Sequence, residues 1–288
     1  MKALPFAYHA PRSIDEGLGL LTEHGDEAKV LAGGQSLVPL LNFHLARPGH
    51  LVDLNRIGEL AGTGRARGGL VLRALARHRA LERPPPPWAA LAPVAALVGH
   101  PAIRARGTVV GSICHADPAG EWPVACTCWP GATLVIASGR GLEQVPVEDL
   151  YEGFLTTRLA PDQLALELWL PPLPEGWGFG FAEHARRHGD FALALAAAAV
   201  APHARGACGR LRLVLGGVGP VPVRVEGAND LLVGRPLDAE AAAALAEVVA
   251  ATVEPPADLH GSTDYRRALA GEMAVRAVRG AMGARGDG

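Results

Sequence analysis

Lysine is nearly missing from this 288-residue chain: Lys2 and Lys29 stand against twenty-five arginines, and 27 basic groups face 29 acidic ones for a formal net charge of −2. With charge so balanced, no long-range field draws the chain to nucleic acid or to an anionic membrane. Cysteine is scarce too. Cys114, Cys126, Cys128 and Cys208 make one C-x-C pair and two singles, neither a zinc-ribbon spacing nor a dense disulfide framework, so buried thiols are expected. No stretch reaches the roughly 18 apolar residues of a spanning helix. The longest, residues 191–201, is short and rich in alanine. Because residues 1–11 hold one lysine and no sustained apolar run, neither a secretory signal nor an integral membrane segment is expected, and the cytoplasm is the expected compartment.

Missing motifs narrow the chemistry further. There is no G-x-G-x-x-G opening a βαβ unit, no Walker phosphate loop, no H-E-x-x-H and no G-x-S-x-G. A doubly wound dinucleotide fold, a P-loop enzyme, a zinc protease and an α/β-hydrolase therefore lack their usual signatures.

What is present reads as a globular α+β protein of two domains. Ser13 with Glu16 forms a capping pair ahead of a helix that ends near Gly25, and residues 6–9, 28–32 and 51–54 read as strands. Apolar positions at 37, 38, 40, 41, 43 and 45 predict a second helix over 35–46. From 56 to about 172 the pattern becomes strand-rich, with strands expected at 69–75, 109–114, 132–137 and 163–170 and one helical stretch at 88–98. Prolines 171, 172 and 174 with Gly176 and Gly178 mark a composition break. Beyond it, strands are expected at 178–186, 192–201 and 210–218, then helices at 238–253 and 265–282.

Two glycine turns stand out. In the first, strand residues lead into Gly33, Gly34, Gln35 and Ser36 at a helix start. Paired glycines permit positive φ and leave no Cβ in the way, so several amides and the helix start can cradle a diphosphate. The same segment also reads as a tight strand-to-helix turn in which Gln35 and Ser36 only cap. The second turn runs from Thr108 to Ser112, again with small residues and hydroxyls near an expected strand. Asp117 before Pro118 reads as a helix N-cap with Glu121 about one turn inside, and His115 as a packing histidine, since no acid or nucleophile adjoins it.

Ala32 to Ser36, with residues 39–43, Leu45, Arg47 and Pro48, followed by Ile103, Arg104, Arg106 to Thr108, Gly111, Ser112 and His115 to Pro118, resembles the FAD-binding medium subunit of molybdenum hydroxylases. Tyr8 to Pro11, Ala185 to Ala192 and Asp264 to Arg267 look like further landmarks of the carbon monoxide dehydrogenase medium-subunit branch, in order along nearly the whole chain. Val110 stands where many relatives have glycine, and Ala105 where asparagine is common.

The resemblance implies a two-part FAD-binding domain of the vanillyl-alcohol-oxidase (PCMH) type over residues 1–175, with subdomains of about 1–54 and 55–175. A CO dehydrogenase flavoprotein C-terminal-like domain over 176–288 would follow. It implies FAD as cofactor, with Ala32, Gly33, Gly34, Gln35 and Ser36 at the diphosphate, Thr108, Gly111 and Ser112 as opposing contacts, and Glu121 near cofactor hydroxyls. It implies no catalytic side chain and no metal ligand in this chain. As partners it implies a large molybdopterin-binding subunit and a small [2Fe-2S] subunit, in a dimer of heterotrimers, with electrons leaving FAD for NAD, a quinone or oxygen. Arg186, Arg187, His188 and Asp190 could border the ring or a partner, or form a solvated turn. A free-standing flavin oxidoreductase, or a non-catalytic assembly factor of the same fold, are the alternative readings.

Overall fold

Ser13 starts the first helix as its spacing from Glu16 predicts. Ser13 Oγ accepts from the Glu16 amide at 3.1 Å, and Glu16 Oε2 accepts from the Arg12 amide at 2.7 Å. In this computed structural model, which describes residues 2–203 and 206–283, strand β1 (Ala7–His9) leads into helix α1 (Ile14–His24). Gly25, at φ +48°, turns the chain into β2 (Ala28–Leu31). Helix α2 (Leu37–Asn42) and strand β3 (His50–Asp53) complete a small first lobe. Its three strands are parallel in the order β1-β3-β2, so their carboxyl ends share one edge. Helix α2 is shorter than its apolar spacing predicts, because His44 turns left-handed at φ 59° and the Leu45 and Ala46 amides fold back onto Leu40 O.

The second lobe is built on an antiparallel sheet. Strands β4 (Thr63–Ala66), β5 (Gly69–Arg73), β6 (Thr133–Ser138) and β7 (Gly141–Pro146) join, beyond a small β8 (Tyr151–Gly153) and β9 (Thr156–Thr157) hairpin, with β10 (Leu164–Leu170) in the order β4-β5-β10-β6-β7. Helices α3 (Ala92–Leu97), α4 (Pro101–Arg106), α5 (Val109–His115) and α6 (Glu121–Cys128) lie between β5 and β6 in sequence. Trp88, Trp122 and Trp129 fill the core, where the Trp88 and Trp129 indoles donate to the carbonyls of Leu170 and Pro171 at 3.1 and 2.9 Å. The strand expected at 109–114 is therefore a helix. Its β-branched residues suggest a strand, but Thr108 caps a helix and Val109, Val110 and Ile113 bury one face of it. Asp117 likewise caps a turn, not a helix: its Oδ1 accepts from the Ala119 amide at 2.8 Å, and α6 begins at Glu121 after Gly120.

The third sheet, β11 (Gly178–His184), β12 (Ala194–Pro202), β13 (Cys208–Gly216) and β14 (Val223–Arg224), is antiparallel in that order and packs on α7 (Glu226–Leu232), α8 (Ala239–Thr252) and α9 (Thr263–Gly283). The alanine-rich run is a strand buried on both faces. Leu195, Ala197 and Ala199 meet the tryptophan core of the second lobe, while Ala194, Ala196, Ala198 and Val200 face α9, on which α8 packs in turn. Gly178 and Gly180 let the α9 backbone approach so closely that a Cβ at either would overlap the carbonyl of Ala281 or Ala277. Buried Arg266 pairs with Asp258 at 2.6 Å and donates to Leu193 O at 3.2 Å, tying the α9 start to the strand ends. Among the described residues no helix is long and apolar enough to cross a membrane.

Candidate functional site

The carboxyl ends of β2 and β3 open on a cleft of about 350 Å³ lined by Leu31, Ala32, Gly33, Gly34 and Gln35 from the first turn and by Asp53, Asn55 and Arg106 opposite. Crevices at this end of parallel strands are where such sheets receive ligands, because the turns there aim backbone amides outward. Here they do so without spending them. No amide from Gly33 to Leu37 donates to another group among the described residues, and the Ser36 hydroxyl makes no capping bond. Gly34 sits at φ +72°, and Gln35 Nε2 donates back to Gly33 O at 3.3 Å. Ser36 therefore does not cap α2, and Gln35 bonds only within the turn.

Gly33 is fixed by packing. A Cβ there would come within 2.5 Å of Arg106 O and 2.6 Å of the Gly107 Cα, so the first turn lies directly on the backbone that leads into the second. The contact is braced from below. Arg77 donates to Arg106 O and, at 2.8 Å, to Asn55 Oδ1, while Asn55 Nδ2 donates to Ala32 O at 2.7 Å. Asn55 and Arg77 thus strap the two turns together, and sequence reasoning singled out neither. The signal available was position: Asn55 follows the carboxyl end of the central strand β3.

The second turn is of another kind. Thr108 Oγ1 accepts from the Gly111 amide at 3.2 Å, Thr108 O from the Ser112 amide at 3.0 Å and Ala76 O from the Val109 amide at 3.0 Å. Three of its amides are thus taken, two by its own Thr108 and one by Ala76. Val110 points into the tryptophan core, at 2% exposure, and so keeps its side chain out of the cleft. At Gly111 a Cβ would overlap the capping Thr108 Oγ1 and would only touch the Ala32 Cβ, at 3.9 Å. Ala32, Gly33, Gly34 and Gln35 thus share the cleft wall, while Thr108, Gly111 and Ser112 stand behind it on α5.

Glu121 lies apart from this cleft, at the seam with the third sheet. Burial pushes its carboxyl up to about 7, and burial together with the Glu121 charge pushes Glu183 on β11 up to about 8. Glu183 Oε2 is buried without a hydrogen-bond partner among the described residues. Under the second turn, burial and the nearby guanidiniums of Arg104 and Arg77 lower His78 to about 4, and its ring fills the space beside Gly107. At Asp53 burial works to raise the carboxyl, but hydrogen bonds from the Tyr8 hydroxyl at 2.6 Å and from Asn55 hold it below its usual range. Burial raises the Cys114 and Cys128 thiols to about 12 and pushes Cys126 up as well. Arg186, Arg187, His188 and Asp190 are exposed in the turn between β11 and β12, which Gly189, at φ +86°, seats against His100.

Unspent amides on one wall with the Arg106 guanidinium facing them suit a diphosphate, and the Asp53 carboxylate suits a hydroxyl donor. Comparison with known proteins fits that chemistry. The family described as "FAD binding domain in molybdopterin dehydrogenase" matches residues 4–173, and "CO dehydrogenase flavoprotein C-terminal domain" matches 179–281. The chain is 36% identical over 285 residues to the 6-hydroxypseudooxynicotine dehydrogenase complex subunit alpha of Paenarthrobacter nicotinovorans, covering 98% of this chain and 96% of that one. It is 35% identical to the carbon monoxide dehydrogenase medium chain of Hydrogenophaga pseudoflava, covering 96% of each. Among solved structures, carbon monoxide dehydrogenase from Hydrogenophaga pseudoflava lacking the Mo-pyranopterin moiety superposes with a TM-score of 0.93 at 34% identity, covering 98% of this chain and 99% of that one. Quinoline 2-oxidoreductase from Pseudomonas putida 86 gives 0.91 at 37%, covering 99% and 100%.

Proposed function

Because the chain belongs to the family of FAD-binding subunits of molybdopterin dehydrogenases, and is thus a flavoprotein medium subunit of a molybdenum hydroxylase-type oxidoreductase complex, we propose that it collects electrons from a partner's [2Fe-2S] clusters and delivers them to an outside acceptor. The observation that carries this reading is the first turn: its amides from Gly33 to Leu37 make no hydrogen bond among the described residues, and Gly33, Gly34 and Gln35 line the cleft.

Ala32 to Ser36 would hold the FAD diphosphate through those amides and the Ser36 hydroxyl, with Arg106 adding charge. Thr108, Gly111 and Ser112 would support that wall from behind, Gly111 by leaving room for the Thr108 cap. Asp53, kept ionised by Tyr8 and Asn55, would accept from a cofactor hydroxyl. Glu121, raised to about 7 at the seam, would be a neutral or shared-proton group toward the rest of the cofactor. When bound, FAD supplies one- and two-electron redox chemistry that no side chain here offers. The chain's own part is to seat it and to fix which side meets each partner. We place the division between a cofactor-binding domain of 1–175 and a C-terminal domain of 176–288 at the proline-rich stretch after β10. We assign the partners as a large molybdopterin-binding and a small [2Fe-2S] subunit in a dimer of heterotrimers, located in the cytoplasm.

The test is anaerobic flavin reduction. The purified chain alone should keep its flavin absorbance when offered small aldehydes, purines, N-heterocycles or carbon monoxide, and lose it only when co-expressed large and small subunits are present. Rapid substrate-driven bleaching of the lone chain would contradict the subunit role and favour a free-standing oxidoreductase. Colourless protein from every preparation would favour an assembly factor.

A further inference from the structure

Three histidines that the cofactor site does not use meet on the opposite face of the first lobe. His50 is the first residue of the central strand β3, His9 the last of the edge strand β1, and His24 the last of α1. In the parallel register Ala7 pairs with His50 and His9 with Val52, so His9 and His50 share a face of the sheet. That is the face on which Val52 meets Leu21 of α1, and the end of α1 lays His24 over His50 with ring centroids 3.6 Å apart. His9 Nε2 lies 3.0 Å from His50 Nδ1, and one nitrogen from each ring falls within 4.8 Å of the other two. All three rings are half-buried, so solvent reaches them.

Three elements converge here on three imidazoles, where packing alone would favour apolar side chains. Neutral imidazole is the preferred nitrogen ligand of first-row divalent ions, and with Zn–N of about 2.0–2.1 Å two tetrahedral ligands lie roughly 3.3 Å apart. His9 Nε2 and His50 Nδ1 share a hydrogen bond at 3.0 Å, and an ion taking the place of the shared proton would find the two nitrogens close to that spacing. We propose that His9, His24 and His50 form a binding site for one divalent first-row transition ion of the Zn²⁺ class, with solvent completing the coordination. The ion clamps the three-residue edge strand and the end of α1 to the central strand. A lobe of some fifty residues has little core of its own, and such small units commonly draw stability from a metal. The neighbour of His9, Tyr8, holds Asp53 at the cleft, so the clamp also steadies that wall.

The test uses the full FAD-loaded chain after chelator treatment and dialysis. Titration with ZnCl₂, followed by metal analysis after gel filtration, should give one retained ion per chain and a rise in Tm of several degrees. His24→Gln and the double variant His9→Gln/His24→Gln should weaken Zn²⁺ binding by about tenfold or more and abolish the Tm rise, since losing a ligand costs at least what losing its outer support does. Their flavin absorbance and metal-free Tm should stay at the parent's values, which separates ligand loss from misfolding. Co²⁺ added to the unaltered chain should give the visible ligand-field bands of a nitrogen-ligated ion, a readout that needs no variant. No retained ion and no Co²⁺ bands, or Zn²⁺ binding as tight in the double variant as in the parent, would overturn the proposal. Because flavin content and metal content are read separately, failure of the cofactor reading would not pass for failure of this one.

Discussion

The two glycine turns look alike in sequence and differ in what they do with their hydrogen bonds. At the first, the helix starts without a side-chain cap, and five consecutive amides, three of them from cleft-lining residues, stay unspent among the described residues. At the second, Thr108 caps its own helix and takes the Gly111 and Ser112 amides, while Ala76 O takes that of Val109. A strand-to-helix turn is thus ligand-ready when its own residues decline to satisfy it, and structural when they do not. The first turn leaves its amides unspent; the segment that leads into the second, at Arg106 and Gly107, is the backbone on which the first is pressed.

Breaking the contact between the turns should have the largest effect. Gly33→Val puts a side chain where Arg106 O and the Gly107 Cα already sit, at 2.5 and 2.6 Å from its Cβ. The variant should purify without yellow colour, its ratio of flavin to protein absorbance close to zero. A flavin-replete Gly33→Val chain would mean that the turns can separate without harm. Next is the strap. Arg77→Met removes the guanidinium shared by Arg106 O and Asn55 while keeping its length, at a cost of about 2 kcal/mol in FAD binding, roughly thirtyfold in Kd by fluorescence titration. Thr108→Ala sharpens the comparison from the other side. It removes a cap, so urea unfolding should show a loss of about 1 kcal/mol, with FAD affinity within a few-fold of the parent. Equal losses of FAD from the Thr108 and Gly33 variants would show that the two turns do the same job.

The smallest effect concerns the seam. Glu121 and Glu183 keep protons in the fold at pH values where the unfolded chain has lost them, so the fold is favoured at low pH and loses stability as pH climbs through about 7 and about 8. Glu183→Gln should flatten that decline, raising Tm at pH 8.5 relative to the parent by about a degree or two, since partial exposure screens the charge. An unchanged Tm–pH curve would count against a raised pKa at this pair.

Local signals were the readable ones. The Ser13–Glu16 pair, the Gly25 stop, the paired glycines at 33 and 34 and the apolar run that became β12 are each written in a few adjacent residues, and the structure keeps them. Where tertiary contacts decided, the reading failed. Val109 and Val110 have strand propensity, but the tryptophan core and the Thr108 cap made them helical. His44 gave no sign that it would end α2 by turning left-handed. At the site, the glycines stood out because they are unusual, whereas Asn55 and Arg77 act through partners 22 to 29 residues away and leave no local pattern. The three-histidine cluster was hidden for the same reason, its members being brought together by sheet register and helix length.

The most direct measurement is a crystal structure of the chain grown with FAD. Diphosphate oxygens should lie at ordinary hydrogen-bond distance, about 2.7–3.2 Å, from amide nitrogens between Gly33 and Leu37, with Gly33 still against Arg106 and Gly107. A diphosphate bound away from those amides, or one held chiefly by the amides of Val109 to Ser112, would contradict the division of labour between the two turns.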